Sequence, residues 1–305
     1  MSLKKRRHHY IWRYYLRSWA KDEKIWCKRD TSVFHTNLVN VAQMRDFYKI
    51  YELTETEYEF LTGLTEYKSH ELQKELNKFW VDIAARVTRV RKTGKKLGIN
   101  TPEFHGDIDT YLTNSGEEIQ TKIEEIGLQF LQCMNARDLS FYLDEHKCVD
   151  FMLFISVQYV RTNTIKSNLL AREALPKSID FDAVWAIAQY ILATNMSLSL
   201  YMDRREYQLV LIENRTDVPF ITTDQPLINL RDTHSSKTDE VKELEIYYPL
   251  SPTLAMLLSQ APSVSLQPNT TEVVKLNSLM VEKANQQIFG PSEESISHFD
   301  LRKNA

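Results

Sequence analysis

Two adjacent histidines, His8 and His9, stand in the segment KKRRHHYIWRYYLR at residues 4–17. Imidazole titrates near neutrality, so it can both take and give a proton where most side chains hold one state. Arg6, Arg7, Arg13 and Arg17 flank the pair. Their guanidinium groups suit a phosphodiester and the added charge of its transition state. Trp12 and the tyrosines at 10, 14 and 15 offer flat faces on which bases stack. These are the parts of a metal-independent ribonuclease. A structural reading competes with it: adjacent side chains need not face one site, and either imidazole can serve only to bond backbone inside the fold. On this reading Lys4–Arg7 form a solvated flank and the folded body begins at His8.

Two later segments carry further candidates. In FISVQYVRTNT, Gln158 and Arg161 lie three apart on one helix face. The surrounding residues are apolar, so the pair is expected to be buried, and a buried guanidinium needs a partner in the fold or in a substrate. PFITTDQPL ends a predicted strand in Thr223-Asp224 and breaks at Pro226. Asp224 there can orient a histidine, pair with Arg161, or cap its own turn.

Metal chemistry has less support. His35, His70, His105, His146, His234 and His298 are scattered, with no i, i+4 pair, and Cys27, Cys133 and Cys148 form no CxxC. Free thiols of this kind fit a reducing cytoplasm. Glu117, Glu118, Glu124 and Glu125 share a predicted helix, and a solvated face is the simpler account of them. Nucleotide, zinc-protease and serine-hydrolase signatures are absent. The expectation is therefore no metal and no cofactor.

The elements that must position these groups follow from hydrophobic spacing. The 305 residues are 43% hydrophobic and 26% charged, with net charge −3 and only 7 glycines. That is enough apolar surface for a real core, and the basicity is local, at 4–17 and 86–96. KIWCK and SVFHT predict a β-hairpin within 21–38, and NVAQMRDFY (40–48) a helical turn capped by Asn40. A helical core is expected over 55–205, with helices near 66–96, 117–135, 139–160 and 181–203, and Pro102 in a loop. The stretch 181–202 is apolar enough to suggest a membrane, but Asp182, Gln189 and Asn195 argue for burial in protein. Short β-branched runs make 206–291 β-rich, with a last helix at 272–285. The predicted architecture is one α+β domain over 1–305: a central bundle of long helices and a mixed or antiparallel sheet formed by the C-terminal third plus the N-terminal hairpin.

The motifs also carry a resemblance. HHYIWRYYLRSWA (8–20) resembles the HHYIPRFYLRxF opening of a bacterial family known as domain of unknown function 4238. KIWCKRD resembles the strand that follows it, and NVAQMRDFY resembles its N-[VI]-A-x-x-x-x-F-Y segment. FISVQYVRTNTIK is similar to its Q-x-x-R-T-P helix, PFITTDQPL to P-F-[IL]-T-S-D-x-P, and YYPLSPTLAMLL to F-P-L-S-P. LNSLMVEKANQQIFG resembles its last helix and strand. Trp12, Thr223 and Asn163 depart from the pattern, yet its His, Gln, Arg and Asp positions are intact. The resemblance implies a single-gene antiphage defence role.

Three readings follow. The first is a cytoplasmic defence effector that cleaves RNA or tRNA, with His8, His9, Arg161 and Asp224 catalytic and Arg13, Gln158 and Thr223 binding substrate. The second is a non-catalytic sensor that binds a phage component or nucleic acid. The third makes the polar set internal bracing. No membrane partner is expected, and nothing in the sequence sets the oligomeric state. The first reading needs His8, His9, Arg161 and Asp224 to converge on one cleft.

Overall fold

The structure, a computed structural model, describes residues 4–66, 71–172, 176–232 and 244–301, with the side chains of 171 and 172 left out. His70 and His234 lie outside the described residues, as do positions 67–70 of the helix expected from residue 66.

The chain opens with strand β1 (Arg7–His9), the short helix α1 (Arg13–Leu16), and the hairpin β2 (Lys24–Arg29) and β3 (Ser32–Asn37). Asp30 turns the hairpin with φ of 51°, a left-handed conformation that Asp tolerates. The helical turn expected at 40–48 is not formed. A 3-10 turn at Leu38–Asn40, capped by Asn37, leads instead into strand β4 (Gln43–Arg45), which pairs antiparallel with β1. The register places Arg7 opposite Arg45, His8 opposite Met44 and His9 opposite Gln43.

Helices α2 (Glu55–Glu66), α3 (Glu71–Lys96), α4 (Pro102–Asn135), α5 (Glu145–Val160), α6 (Asn163–Arg172) and α7 (Phe181–Met202) follow. Helix α4 begins some four turns earlier than its hydrophobic spacing suggested. Thr101 caps it by accepting from the Phe104 N–H at 3.2 Å, and Pro102 takes the first helical position, where a missing N–H costs nothing. Asp144 and Asp180 cap α5 and α7 in the same way. Helix α7 is long and apolar enough to cross a membrane, but 72% of its most apolar window is buried inside the protein. It packs against α5, α3 and α2.

The last part holds β5 (Gln208–Glu213), β6 (Thr222–Thr223), β7 (Ile228–Asn229), β8 (Glu245–Ser251), β9 (Leu254–Ser259), α8 (Thr270–Lys283) and β10 (Gln287–Gly290). Helix α8 starts with a capping box between Asn269 and Glu272. The fold is α+β, and among the described residues its strands make three antiparallel assemblies rather than one sheet. The β1–β4 ribbon stands alone, the N-terminal hairpin joins β10 and β6, and β5, β9, β8 and β7 form the other four-stranded sheet. The hairpin gains partners because two strands alone are marginal in water.

One local feature of α4 decides where the N-terminal segment sits. Thr113, Asn114, Ser115 and Gly116 are small and buried within it. The Ile50 N–H donates to the Leu112 carbonyl at 2.9 Å, and the Lys5 N–H donates to Asn114 Oδ1 at 2.9 Å. A methyl group at Gly116 would overlap the Tyr48 carbonyl oxygen. The run of small residues thus lets the backbone on either side of the ribbon lie directly on α4, just before Glu117.

Candidate functional site

Past that contact the ribbon, α1 and α4 enclose a cleft of about 240 Å³. From the N-terminal segment it is lined by His9, Trp12, Arg13, Tyr14 and Arg17, and from α4 by Glu117, Gln120, Thr121 and Glu124. The α4 residues recur at the i, i+3, i+4, i+7 spacing of a single helix face. Glu118 and Glu125, on the outer face, are exposed. The carboxylate run therefore divides, with one pair solvated and one facing the cleft.

His9 is half-buried, and its Nε2–H donates to the Val39 carbonyl at 3.3 Å. That bond leaves Nδ1 as the lone-pair nitrogen, with no protein partner among the described residues. Burial holds the His9 pKa below its ordinary value, and Arg13 and Arg7 add to the effect. The ring is therefore neutral at pH 7 and can accept a proton. Glu117 is shifted the other way. Burial, reinforced by the Glu124 charge, pushes its carboxyl up to about 7, so that it holds a proton for much of the time at neutral pH. A neutral imidazole and a protonated carboxyl lining one cleft make a base and an acid. Arg13 is exposed at the rim and forms no hydrogen bond or ion pair among the described residues, whereas Arg17 is held by Glu23 at 2.7 Å. Trp12 and Tyr14 lie with ring centroids 5.0 Å apart and stand partly open.

Arg161 sits behind this wall, 1% exposed. Its Nη1 donates to Glu124 Oε1 at 2.7 Å and to Gln120 Oε1 at 3.0 Å, and its Nη2 donates to Gln158 Oε1 at 2.6 Å. Gln120 in turn donates to the Tyr190 hydroxyl at 3.0 Å. Burial raises the Glu124 pKa and Arg161 pulls it back down. Arg161 and Gln158 touch the cleft only through Glu124 and Gln120, so they position its wall.

The expected convergence holds for part of the set. His9 and Arg13 line the cleft, with Arg161 and Gln158 one layer behind. His8 does not line it. The His8 ring is fully buried and stacked on Tyr48, with Nδ1 accepting from the Tyr48 N–H at 2.8 Å and Nε2–H donating to the Lys5 carbonyl at 2.7 Å. No nitrogen is left for proton transfer. Adjacent residues on a strand point to opposite faces, which separates the two histidines. Replacing His8 with Ala strands two buried backbone groups and is expected to destabilise the fold by about 2–4 kcal/mol. Urea denaturation of His8→Ala beside His9→Ala measures this, with the larger loss at His8.

Asp224 and Thr223 also lie elsewhere. The Asp224 carboxylate accepts from the Asn285, Gln286 and Gln287 N–H groups at 2.8, 2.7 and 3.1 Å, fixing the turn from α8 into β10. Among the described residues it orients no histidine and pairs with no arginine. Burial pushes it up to about 6 against the pull of those donors. Thr223 Oγ1 closes a local turn with Gln225, accepting from its N–H at 3.1 Å and donating to its carbonyl at 3.0 Å. Gln225 bonds Thr162, beside Arg161. The Q-x-x-R-T and T-T-D-Q-P segments therefore do meet, as bracing. Among the described residues, no three His, Cys, Asp or Glu side chains are arranged to hold a metal ion.

No curated protein and no solved structure matches the chain. The family model described as "Protein of unknown function (DUF4238)" matches residues 7–294, a span that takes in the ribbon, the cleft and both bracing segments, and the chain belongs to that family.

Proposed function

We propose that the cleft cleaves single-stranded RNA and that the protein acts in antiphage defence by arresting growth on infection. The observation that carries the chemistry is that, among the described residues, His9, with Nδ1 free, lines one cleft with Glu117 beside an unpaired Arg13; burial, which lowers the His9 pKa and raises that of Glu117, supports it. His9 Nδ1 takes the proton of a ribose 2′-hydroxyl, and the 2′-oxygen attacks the adjacent phosphorus. The P–O5′ bond breaks, and the leaving 5′-oxygen takes the Glu117 proton. The products are a 2′,3′-cyclic phosphate and a 5′-hydroxyl, and no co-reactant is consumed. Arg13 meets the charge on the phosphoryl oxygens, and Trp12 and Tyr14 stack a base. The defence role rests on the family resemblance.

Incubating the purified protein with an end-labelled RNA 12-mer or with tRNA tests the reading. The expected result is cleavage to cyclic-phosphate ends, abolished by His9→Ala, with the same substitution abolishing growth arrest in infected cells. RNA that binds tightly and stays intact would replace the enzyme with a sensor.

A further inference from the structure

We infer that the outer face of the β1–β4 ribbon is a phosphate track leading into the cleft, so that the substrate is an RNA strand extending beyond the cleaved linkage. The inference deepens the cleavage reading and rests on it for the identity of the polymer. Residues opposite one another in an antiparallel pair project from the same face, so Arg7 and Arg45 stand side by side. Like charges in that position destabilise a ribbon. Among the described residues nothing compensates them fully: Arg45 is 70% exposed and reaches only Asp46, at 3.7 Å, an acid it shares with Arg6. Arg7 is exposed and has no acidic partner among the described residues.

His9 lies on the same face, two residues along and therefore about 7 Å from Arg7. Arg13 follows at the cleft. The order Arg45/Arg7, His9, Arg13 is that of an anion path ending at the proposed base. Lys4 and Arg91, the latter from the last turns of α3, share Asp109 at 3.3 and 4.0 Å, and Arg91 is also held by Glu52 at 2.6 Å. Two basic segments some 80 residues apart in sequence are thus neighbours, on a protein whose net charge is −3. Paired guanidinium groups bind a phosphate well, and Trp12 and Tyr14 at a cleft of about 240 Å³ suit the stacking of a single-strand base. Charge on a short ribbon also guards against edge-to-edge pairing. That role predicts no salt-dependent affinity for RNA.

Fluorescence anisotropy with a labelled uridine RNA 12-mer separates the two accounts. Glu117→Gln serves as the parent so that the probe survives, and Arg7→Gln/Arg45→Gln is added to it. Losing two phosphate contacts should lower the slope of log affinity against log salt by about 1.4, which is roughly a 10- to 30-fold weaker Kd near 0.1 M salt. Affinity for uridine 3′-monophosphate should stay as it was. Arg7→Lys/Arg45→Lys should restore the slope, which a ribbon that had merely lost its fold would not do. Unchanged 12-mer affinity and slope would overturn the track, as would equal weakening of the monophosphate. If the arginines govern binding but the wild-type protein leaves the 12-mer uncut, the track stands and the cleavage reading falls.

Discussion

Replacing Arg161 with Met is expected to lower the thermal midpoint by roughly 5–10 °C, the effect of losing about 3–5 kcal/mol in a chain of this size. The guanidinium is 1% exposed and satisfies three acceptors on two helices, Glu124 and Gln120 on α4 and Gln158 on α5. Met fills much of the volume but leaves the Glu124 carboxylate buried without its counter-charge. That carboxyl is already raised by burial and held down mainly by Arg161, so in the variant it rises further. The sign is fixed: a carboxyl whose folded pKa lies above its unfolded one loses stability as pH increases through the interval between them. The variant should therefore melt closer to wild type in mild acid than at pH 8. Adding Glu124→Leu should recover part of the loss, because an apolar replacement of both partners leaves no orphan charge. Differential scanning calorimetry of the four combinations measures the coupling. An Arg161→Met midpoint within 1–2 °C of wild type would mean that the network does not hold α4 to α5.

The second large effect is on cleavage. His9→Ala and Glu117→Gln are each expected to slow the single-turnover step about 10²- to 10⁴-fold, the range for losing one general acid or base. Their stabilities should diverge. Glu117 ionises at about 7 in the folded protein against 4.5 for an unperturbed glutamate. Both states hold the proton at pH 4, so the group costs nothing there. Between the two values only the unfolded chain gives up its proton freely, and above 7 the folded protein carries a half-buried charge. Glu117→Gln removes that cost, so its gain over wild type should grow from pH 5 to pH 8. A variant that is more stable and nearly inactive marks a residue kept for chemistry rather than for folding. Loss of stability together with activity would make Glu117 a structural group.

Helix and strand types were largely legible, because apolar side chains at spacing three and four or in β-branched runs report what each element packs against. Boundaries were less so. Thr101-Pro102 reads as a loop until its cap and its place at the first helical position are considered together, and they are what begins α4. Segment 40–48 has the spacing of a helical turn, yet Asn37, not Asn40, supplies the cap, and the chain then turns into β4.

The site was legible as a set of residue types more than as a place. Polar residues shared with the family pattern serve two unlike purposes here. Asp224 joins segments far apart in sequence, Gln158 holds the Arg161 that ties α4 to α5, and Thr223 closes a local turn, whereas His9 and Arg13 line the cleft. The separation of His8 from His9 follows from strand alternation, but a strand as short as Arg7–His9 leaves no period-two pattern to announce it. Glu117, Gln120 and Glu124 carried a usable signal. They fall at i, i+3 and i+7 between Gly116 and Gly127, which packs closely against Phe154, and small residues on a helix mark the side that meets other elements. Glu118 and Glu125, interleaved with them and exposed, give the run as a whole the look of a solvated face. What no spacing conveys is the shift at Glu117, which depends on burial by a segment more than 100 residues earlier.

Whether His9 and Glu117 exchange protons with one substrate in one cleft is read from the pH dependence of single-turnover RNA cleavage. Wild-type protein should give a bell, rising as His9 loses its proton below 6.5 and falling as Glu117 loses its own at about 7. In Glu117→Gln the residual rate should keep the rising limb and lose the fall. A wild-type profile without an alkaline fall near 7, or a fall that persists in Glu117→Gln, would contradict that exchange.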